Sequence, residues 1–214
     1  MINTTRLRAT IGWLGMLLPW IVLVLSCAFG IGIPDSISAT YYLAPCITPF
    51  MVILGSAGLL LFSYKGYERI DDIICSIAGG CGLGVCLFPC ATENLILHGW
   101  SFLTDFAAVG TFQIVPVVSG IFHNVFAIGF FALLAFNSLF LFTKSSGEMT
   151  EKKRKRNIVF RVCGVGMIAS FLLLVPVAIF NWWGGTWLVE AIALAFFAVS
   201  WLTKANCYSW LWAD

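Results

Sequence analysis

Charged side chains are scarce in this chain, and their scarcity excludes a soluble domain. Only 10% of the 214 residues are Asp, Glu, Lys or Arg, whereas 60% are hydrophobic. A soluble domain carries charge on about a quarter of its residues. The excess apolar surface must face lipid, so membrane lipids are the expected partners. The net charge is only +2, and the cations flank membrane spans, so no nucleic-acid partner is expected.

Catalytic signatures and histidines are also scarce. The chain contains no HExxH, no GxSxG and no P-loop, so the commonest metalloprotease, esterase and nucleotide motifs are absent. Its two histidines cannot form an all-histidine zinc site within one chain. The eight cysteines form no CxxC pair and are expected mainly as small packing residues. Cys46 and Cys90 form a candidate disulfide at the outer face.

What the chain does contain is long apolar runs. A run of about 20 residues crosses a hydrocarbon core of about 30 Å as a helix. We predict an all-α, polytopic membrane bundle of six transmembrane helices, forming a single domain over residues 1–214. Residues 91–120 are too long for a tight turn and are interpreted as a cap on the outer face. The predicted spans are 11–31, 47–64, 73–90, 121–142, 158–180 and 187–203.

Five consecutive cations at residues 152–156 set the predicted orientation. Short loops rich in Lys and Arg stay on the cytoplasmic side of a membrane. With the N-terminus inside, all twelve Lys and Arg residues fall on the cytoplasmic side, if Arg161 snorkels back from the start of the fifth span. We therefore predict a multi-pass inner-membrane protein with cytoplasmic termini and a basic cytoplasmic loop at 143–157.

The opposite, outer side is predicted to collect four acids and both histidines without a cation. Polar groups at membrane depth are costly, and those that are retained usually have a function. Carboxylate and neutral imidazole are common ligands of divalent metals. His123 and Glu190 are therefore candidate ligands of a divalent metal such as zinc. The candidate catalytic residues are His123, Glu190, Asp35 and Ser38, and the candidate substrate-binding residues are Tyr41, Tyr42, Ser36 and His98.

Each candidate also has a structural interpretation. His123 is compatible with a hydrogen-bonded core residue, and Glu190 with a charge near a helix N-terminus. Adjacent tyrosines such as Tyr41 are typical of interfacial aromatic belts. Ser36 and Ser38 are typical of caps and turns, and Asp35 after Pro34 is typical of a turn.

Three functions remain open from the sequence. The first is an outer-face enzyme that hydrolyses a lipid or its headgroup by metal-assisted or acid–base chemistry. The second is a transporter of a small solute or proton with Glu190 as the titrating group, which needs a polar path through Asn137 and Ser138. The third is a non-enzymatic assembly or regulatory protein that binds a protein partner or a second copy through the cap.

Several short segments resemble a family of uncharacterised bacterial six-span membrane proteins. This resemblance implies a bacterial inner membrane and six spans. A more distant similarity is to membrane-embedded hydrolases of the ceramidase and adiponectin-receptor type, which hold zinc with Ser, Asp and three His among seven helices. That similarity implies zinc-dependent hydrolysis, although this chain has six predicted spans and two histidines. The segments that carry the first resemblance are 35–42, 64–67 with 71–72, 87–89, 156–157 with 161–164, 187–190 and 200–202.

Overall fold

The protein folds into six long apolar helices. The computed structural model describes residues 3–91, 110–112, 114–145, 147–180, 182 and 184–208. Within these ranges all six helices are long and apolar enough to cross a membrane, and no β-strand element occurs. The prediction of six spans is confirmed. The helices are α1 Thr4–Ala28, α2 Ala44–Phe62, α3 Arg69–Leu87, α4 Pro116–Phe136, α5 Glu151–Ile179 and α6 Gly185–Lys204.

All six helices begin before the predicted spans, and α1 and α5 do so by seven residues each because capping residues extend them into polar sequence. The Asn3 side chain accepts the backbone N–H of Thr5 at 3.0 Å and starts α1. The Thr150 side chain accepts the N–H of Lys153 and starts α5. Such caps satisfy N–H groups that a helix leaves unpaired. The five-cation run therefore lies in the first turns of α5, and this helix begins inside the segment predicted as a loop.

The six helices form a closed ring. Each helix packs against the next one in the sequence, and α6 packs back against α1. The α4–α5 interface is the least extensive of the six. Contacts between Arg8 and Tyr64 and between Lys144 and Glu68 define one end of the ring, which we call the basic end. The other end, where Ile37 contacts Glu190, is called the cavity end.

Glycines on α3 allow close helix packing, as their spacing predicts. A Cβ atom on Gly79 would lie 2.5 Å from the carbonyl oxygen of Gly58 on α2. A Cβ on Gly84 would lie 2.5 Å from the ring of Phe126 on α4. Real side chains do not approach this closely, so α3 contacts both neighbours through its own backbone. Small residues at helix interfaces have this role in membrane bundles.

Large aromatic side chains fill the centre of the ring toward the basic end. Trp201 of α6 lies at its middle, with ring centroids 5.2 Å from Tyr64, 5.3 Å from Phe142 and 6.2 Å from Phe197. Edge-to-face contacts of this kind add to the energy of burial. We call the group the aromatic cluster. Its members, all at most 3% exposed, are Tyr64, Phe130, Phe142, Phe160, Phe197 and Trp201.

A π-helical turn, Asn137–Leu141, continues α4. It buries two consecutive polar residues, Asn137 and Ser138, which are both 0% exposed. Asn137 Nδ2 donates to Cys75 Sγ on α3 at 3.1 Å. Ser138 Oγ donates to the Phe160 carbonyl, so its 2.6 Å contact with Ser200 Oγ on α6 uses the Ser200 hydrogen. The turn therefore ties α4 to three helices, α3, α5 and α6.

Candidate binding site at the cavity end

A cavity of about 500 Å³ lies inside the ring, and all six helices contribute to its wall. Most of the wall is apolar and includes Leu18 of α1, Phe50 of α2 and Leu194 of α6. Three of the predicted site residues lie on this wall, namely Ser38, His123 and Glu190. The structure therefore brings together residues that are more than 60 positions apart in the sequence. Pockets of a few hundred Å³ with a few converging polar groups are typical of small-molecule sites.

Glu190 is held by the segment that connects α1 to α2. Its Oε2 accepts the backbone N–H of Ile37 at 2.5 Å, and the N–H and side chain of Ser38 also interact with the carboxylate. Three residues earlier on α6, the N–H of Trp187 donates to the Asp35 carbonyl at 2.9 Å. These bonds attach the connecting segment to α6 across the mouth of the ring. A carboxylate bound by backbone N–H groups is fixed in orientation as well as paired.

Ser36 stabilises the short 3₁₀ turn Ser38–Tyr42 rather than the cavity. Its Oγ accepts the N–H of Ala39 at 2.8 Å, and Thr40 Oγ1 donates to the Ile37 carbonyl at 2.5 Å. Side-chain oxygens of Ser and Thr commonly fix turns in this way. Ser36 is not on the cavity wall, although its sequence neighbour Ser38 is.

His123 is a buried residue of α4 and is only 4% exposed. Its Nδ1 lies 2.8 Å from the carbonyl oxygen of Phe88. A carbonyl can only accept, so Nδ1 carries the hydrogen and donates it. In the neutral ring, Nε2 is then left with a lone pair and can accept a hydrogen bond or a proton. Ser119, one turn earlier on α4, donates to the Pro89 carbonyl at 2.7 Å and fixes the same connection.

Tyr41 and Tyr42 pack beside the cavity without lining it. Their rings contact each other edge to face with centroids 5.3 Å apart. Tyr42 donates its hydroxyl to the Cys90 carbonyl at 2.6 Å. Burial raises the pKa of both phenols above the ordinary value, so both stay protonated at physiological pH. The structure does not bring these two predicted substrate-binding residues to the cavity.

Cys90 lies close to two acids of the candidate site. Burial first, and then the charges of Glu190 and Asp35, raises the pKa of the Cys90 thiol to about 12. A thiol in this state is a poor nucleophile and a poor metal ligand. The candidate partner for a disulfide, Cys46, instead contacts the Val22 carbonyl at 3.5 Å through its sulfur, and both cysteines are free thiols.

The cavity also includes polar residues that the sequence analysis did not select. Asn124 and Thr186 lie on its wall beside His123 and Glu190. Asn124 is the neighbour of His123 in an otherwise apolar helix, which is the signal that would have identified it. Thr186 lies one turn before Glu190 on α6. Asp35, predicted as a catalytic residue, does not line the cavity, and His98 lies outside the described residues.

The metal prediction has limited support from the geometry. Within the part of the chain that the structure describes, no group of three or more His, Cys, Asp or Glu side chains is placed to hold a metal ion. His123 and Glu190 share the cavity, but Glu190 already accepts backbone hydrogens. Two protein ligands are one fewer than catalytic zinc sites use.

Comparison of the chain with protein-family models, curated proteins and solved structures finds no match. The two resemblances noted in the sequence therefore stay predictions. The functional argument depends on the cavity itself.

Proposed function

We propose that the cavity binds an amphipathic molecule taken from the bilayer, in the simplest case a membrane lipid. The observation that carries this proposal is the distribution of chemistry on the cavity wall. Apolar side chains from all six helices form most of the surface, and among the described residues of the wall the ionisable groups are His123 and Glu190. A lipid matches this arrangement because its chains are apolar and its polar groups are confined to one end.

The wall of the cavity reaches the outside of the ring at α4, which favours entry of the ligand from the side. Ile128 of α4 lines the cavity and is also 55% exposed on the outside of the ring. Phe171 and Leu174 of α5 face the same cavity. This place coincides with the α4–α5 interface, the least extensive of the ring. The rings of Phe131 on α4 and Phe171 on α5 contact each other across this interface, with centroids 5.2 Å apart.

The experiment is to fill the cavity and measure the lipid that remains bound. In Ala127→Phe the added ring enters the cavity from α4, and we expect bound lipid in the purified protein to fall severalfold by mass spectrometry. Val125→Phe is the matched control, because Val125 lies on the same helix and is 60% exposed. Equal lipid content in both variants and the wild type would contradict the proposal.

The reaction that this site supports best is hydrolysis of a bond in the polar part of the ligand. His123 is the candidate general base, since its Nδ1 donates to the Phe88 carbonyl and the neutral ring then carries on Nε2 the lone pair that can accept a proton from water. Glu190 orients Ser38 and, through it, the polar group of the ligand. The described residues supply these acid–base groups without a metal cluster.

The variant His123→Asn separates lipid binding from hydrolysis. If the site is hydrolytic, we expect the wild type to release fatty acid or headgroup from mixed lipid vesicles and His123→Asn to lose at least about a hundredfold of that rate. Bound lipid should remain in that variant. No turnover by the wild type on any common lipid class would reduce the protein to a lipid-binding role.

The transport alternative has weaker support. A path to the basic end must pass the aromatic cluster, where Phe197 and Trp201 are each 1% exposed. Asn137 and Ser138, the polar residues suggested for such a path, do not line the cavity. Asn137 Nδ2 and Ser138 Oγ are bonded to neighbouring helices, whereas Asn137 Oδ1 is buried and has no hydrogen-bond partner in the described ranges.

For the orientation, we propose that the basic end faces the cytoplasm of a bacterial inner membrane, so that the cavity end faces outward. The support is the positive-inside rule. Two exposed cysteines provide the test, because Cys27 lies in the last turn of α1 at the cavity end and Cys207 follows α6 at the basic end. In single-cysteine variants, an impermeant maleimide applied to intact cells should label Cys27 and not Cys207. The reverse pattern would overturn the orientation.

A further inference from the structure

Four cations from three helices converge at the basic end, on the side of the ring away from the cavity. Arg8 of α1 lies 5.3 Å from the centre of the Tyr67 ring, and Lys204 of α6 lies 5.0 Å from the centre of the same ring. Tyr67 is 78% exposed whereas Arg8 is 8% exposed, so this meeting point lies between the surface and the interior of the bundle. The other two cations belong to α5 and are Lys153 and Arg156.

The α5 cations join the same group through a second pair of rings. Lys204 Nζ lies 4.7 Å from the centre of Phe142, whose ring centroid is 5.4 Å from that of Phe160. Lys153 and Arg156 lie 5.8 Å and 5.7 Å from the centre of Phe160. We call Arg8, Lys153, Arg156 and Lys204 the cation patch.

No described carboxylate forms an ion pair with the cation patch. The ion pairs in the described ranges join Lys65 to Asp72, Lys144 to Glu68 and Arg154 to Glu151. These acids are therefore used by cations outside the patch.

Asp71 lies near the patch without an ion pair to it; one carboxylate oxygen is bonded to the backbone, whereas the other, Oδ1, is buried and has no hydrogen-bond partner among the described residues. Its Oδ2 accepts the N–H groups of Tyr67 at 2.9 Å and Glu68 at 3.2 Å. Tyr64, which accepts from Arg8 Nε at 3.0 Å, provides no negative charge, because burial raises its pKa to about 12.

The bonds that position the patch leave its charge in place. Lys153 Nζ donates to the Phe142 carbonyl at 2.8 Å, and Arg156 Nη2 donates to the Thr203 carbonyl at 3.1 Å. Arg156 Nε and Thr203 Oγ1 are buried and have no hydrogen-bond partner in the described part of the chain. Cations held close together repel each other, and a bound anion would offset that repulsion.

We propose that the cation patch binds the phosphate group of an anionic lipid headgroup. The patch lies at the ends of α1, α5 and α6, which is the depth of the headgroups for helices of this length. Arg and Lys together match a phosphate anion, Arg by its planar fork of donors and Lys by its point charge. This site is at the opposite end from the cavity and does not depend on the function proposed for it.

The test compares thermal unfolding of the detergent-solubilised protein with three added probes. Phosphatidylglycerol vesicles supply an anionic headgroup, phosphatidylcholine vesicles a neutral one, and inorganic phosphate the free anion. We expect phosphatidylglycerol to raise the unfolding midpoint more than phosphatidylcholine does. Each of Lys204→Gln and Arg156→Gln should weaken the apparent affinity for phosphatidylglycerol about fivefold, because each removes one charge-assisted contact with the phosphate.

Lys155→Gln is the matched control, because it removes one charge from the same helix at an exposed position. It should leave the affinity for phosphatidylglycerol nearly unchanged. A loss as large as that of Lys204→Gln would mean that binding depends on diffuse charge, and the proposal would fail. Without anionic lipid, Lys204→Gln should be at least as stable as the wild type, since repulsion is relieved. If inorganic phosphate saturates the site through the same residues, the patch is a phosphate site. Its ligand is then the free anion, and the proposal of a lipid headgroup is overturned.

Discussion

Along α6, the side chains that face the centre of the ring change in size from one end to the other. Glu190 and Ala193 lie on the cavity wall, whereas Phe197 and Trp201, one and two turns farther, belong to the aromatic cluster and are each 1% exposed. The same stripe of one helix therefore leaves space at the cavity end and fills it at the basic end. The comparison shows that the cavity results from the choice of side chains, because the backbone is continuous through both halves.

The two halves also differ in what holds them together. The basic half depends on packing of large rings, which is lost when one ring is removed. The cavity half depends on hydrogen bonds between the connecting segment and α6, such as that from Ile37 to Glu190. Substitutions in the two halves should therefore reduce the free energy of unfolding by different amounts, and different second variants should restore it.

The largest effect is expected from Trp201→Ala. Trp201 contacts three other rings of the aromatic cluster, and its loss should reduce the free energy of unfolding by about 3–5 kcal/mol. Chemical unfolding in mixed micelles measures this change. Trp13→Ala is the control, because Trp13 is 49% exposed on the outside of α1 and should cost about 0.5 kcal/mol or less. Similar losses in both would break the distinction between the halves.

A smaller effect is expected from Glu190→Ala. The substitution leaves the N–H of Ile37 without its acceptor and should reduce the free energy of unfolding by about 1–3 kcal/mol. Glu190→Gln keeps one acceptor oxygen and should recover part of that loss. If Glu190→Gln destabilises as much as Glu190→Ala, the charge matters more than the hydrogen bond, and the description of the cavity half must change.

The smallest effect is expected from Ser36→Ala. This substitution removes the acceptor for the Ala39 N–H and should cost about 1 kcal/mol, as the loss of a capping side chain does. Ser36→Asn keeps an acceptor and should restore stability. Bound lipid should be unchanged in both variants, because Ser36 is off the cavity wall. A selective loss of lipid in Ser36→Ala would place this residue in the binding site after all.

The number and position of the helices could be predicted because each span needs its own apolar run. Which residues of each helix face the centre of the ring could not be predicted, since helices that are apolar all round carry little periodic signal. Trp201, at the middle of the aromatic cluster, looks no different in sequence from the lipid-facing Trp13. The start of α5 at Glu151 was hidden because the first turns of the helix are charged rather than apolar.

At the candidate site, three residues could be selected because ionisable and polar groups are rare in this chain. Ser38, His123 and Glu190 share the cavity. The turn that removes Tyr41 from the cavity depends on hydrogen bonds of Ser36 and Thr40, and such local bonds have no periodic signature. The cation patch at the basic end was likewise not predicted, because its four members come from three separate segments of the sequence.

The π-helical turn after Phe136 has a consequence for how α4 serves both ends of the ring. Such a turn accommodates one residue more than a regular helix of the same rise, which rotates all later side chains by about 100° relative to the earlier ones. His123 and Ala127 can thus face the interior on one register, and Asn137 and Leu141 on another. Substitutions in the part of α4 before the π-helical turn need not change the packing of the part after it. The wall of the cavity can therefore diverge in evolution while the basic half stays fixed.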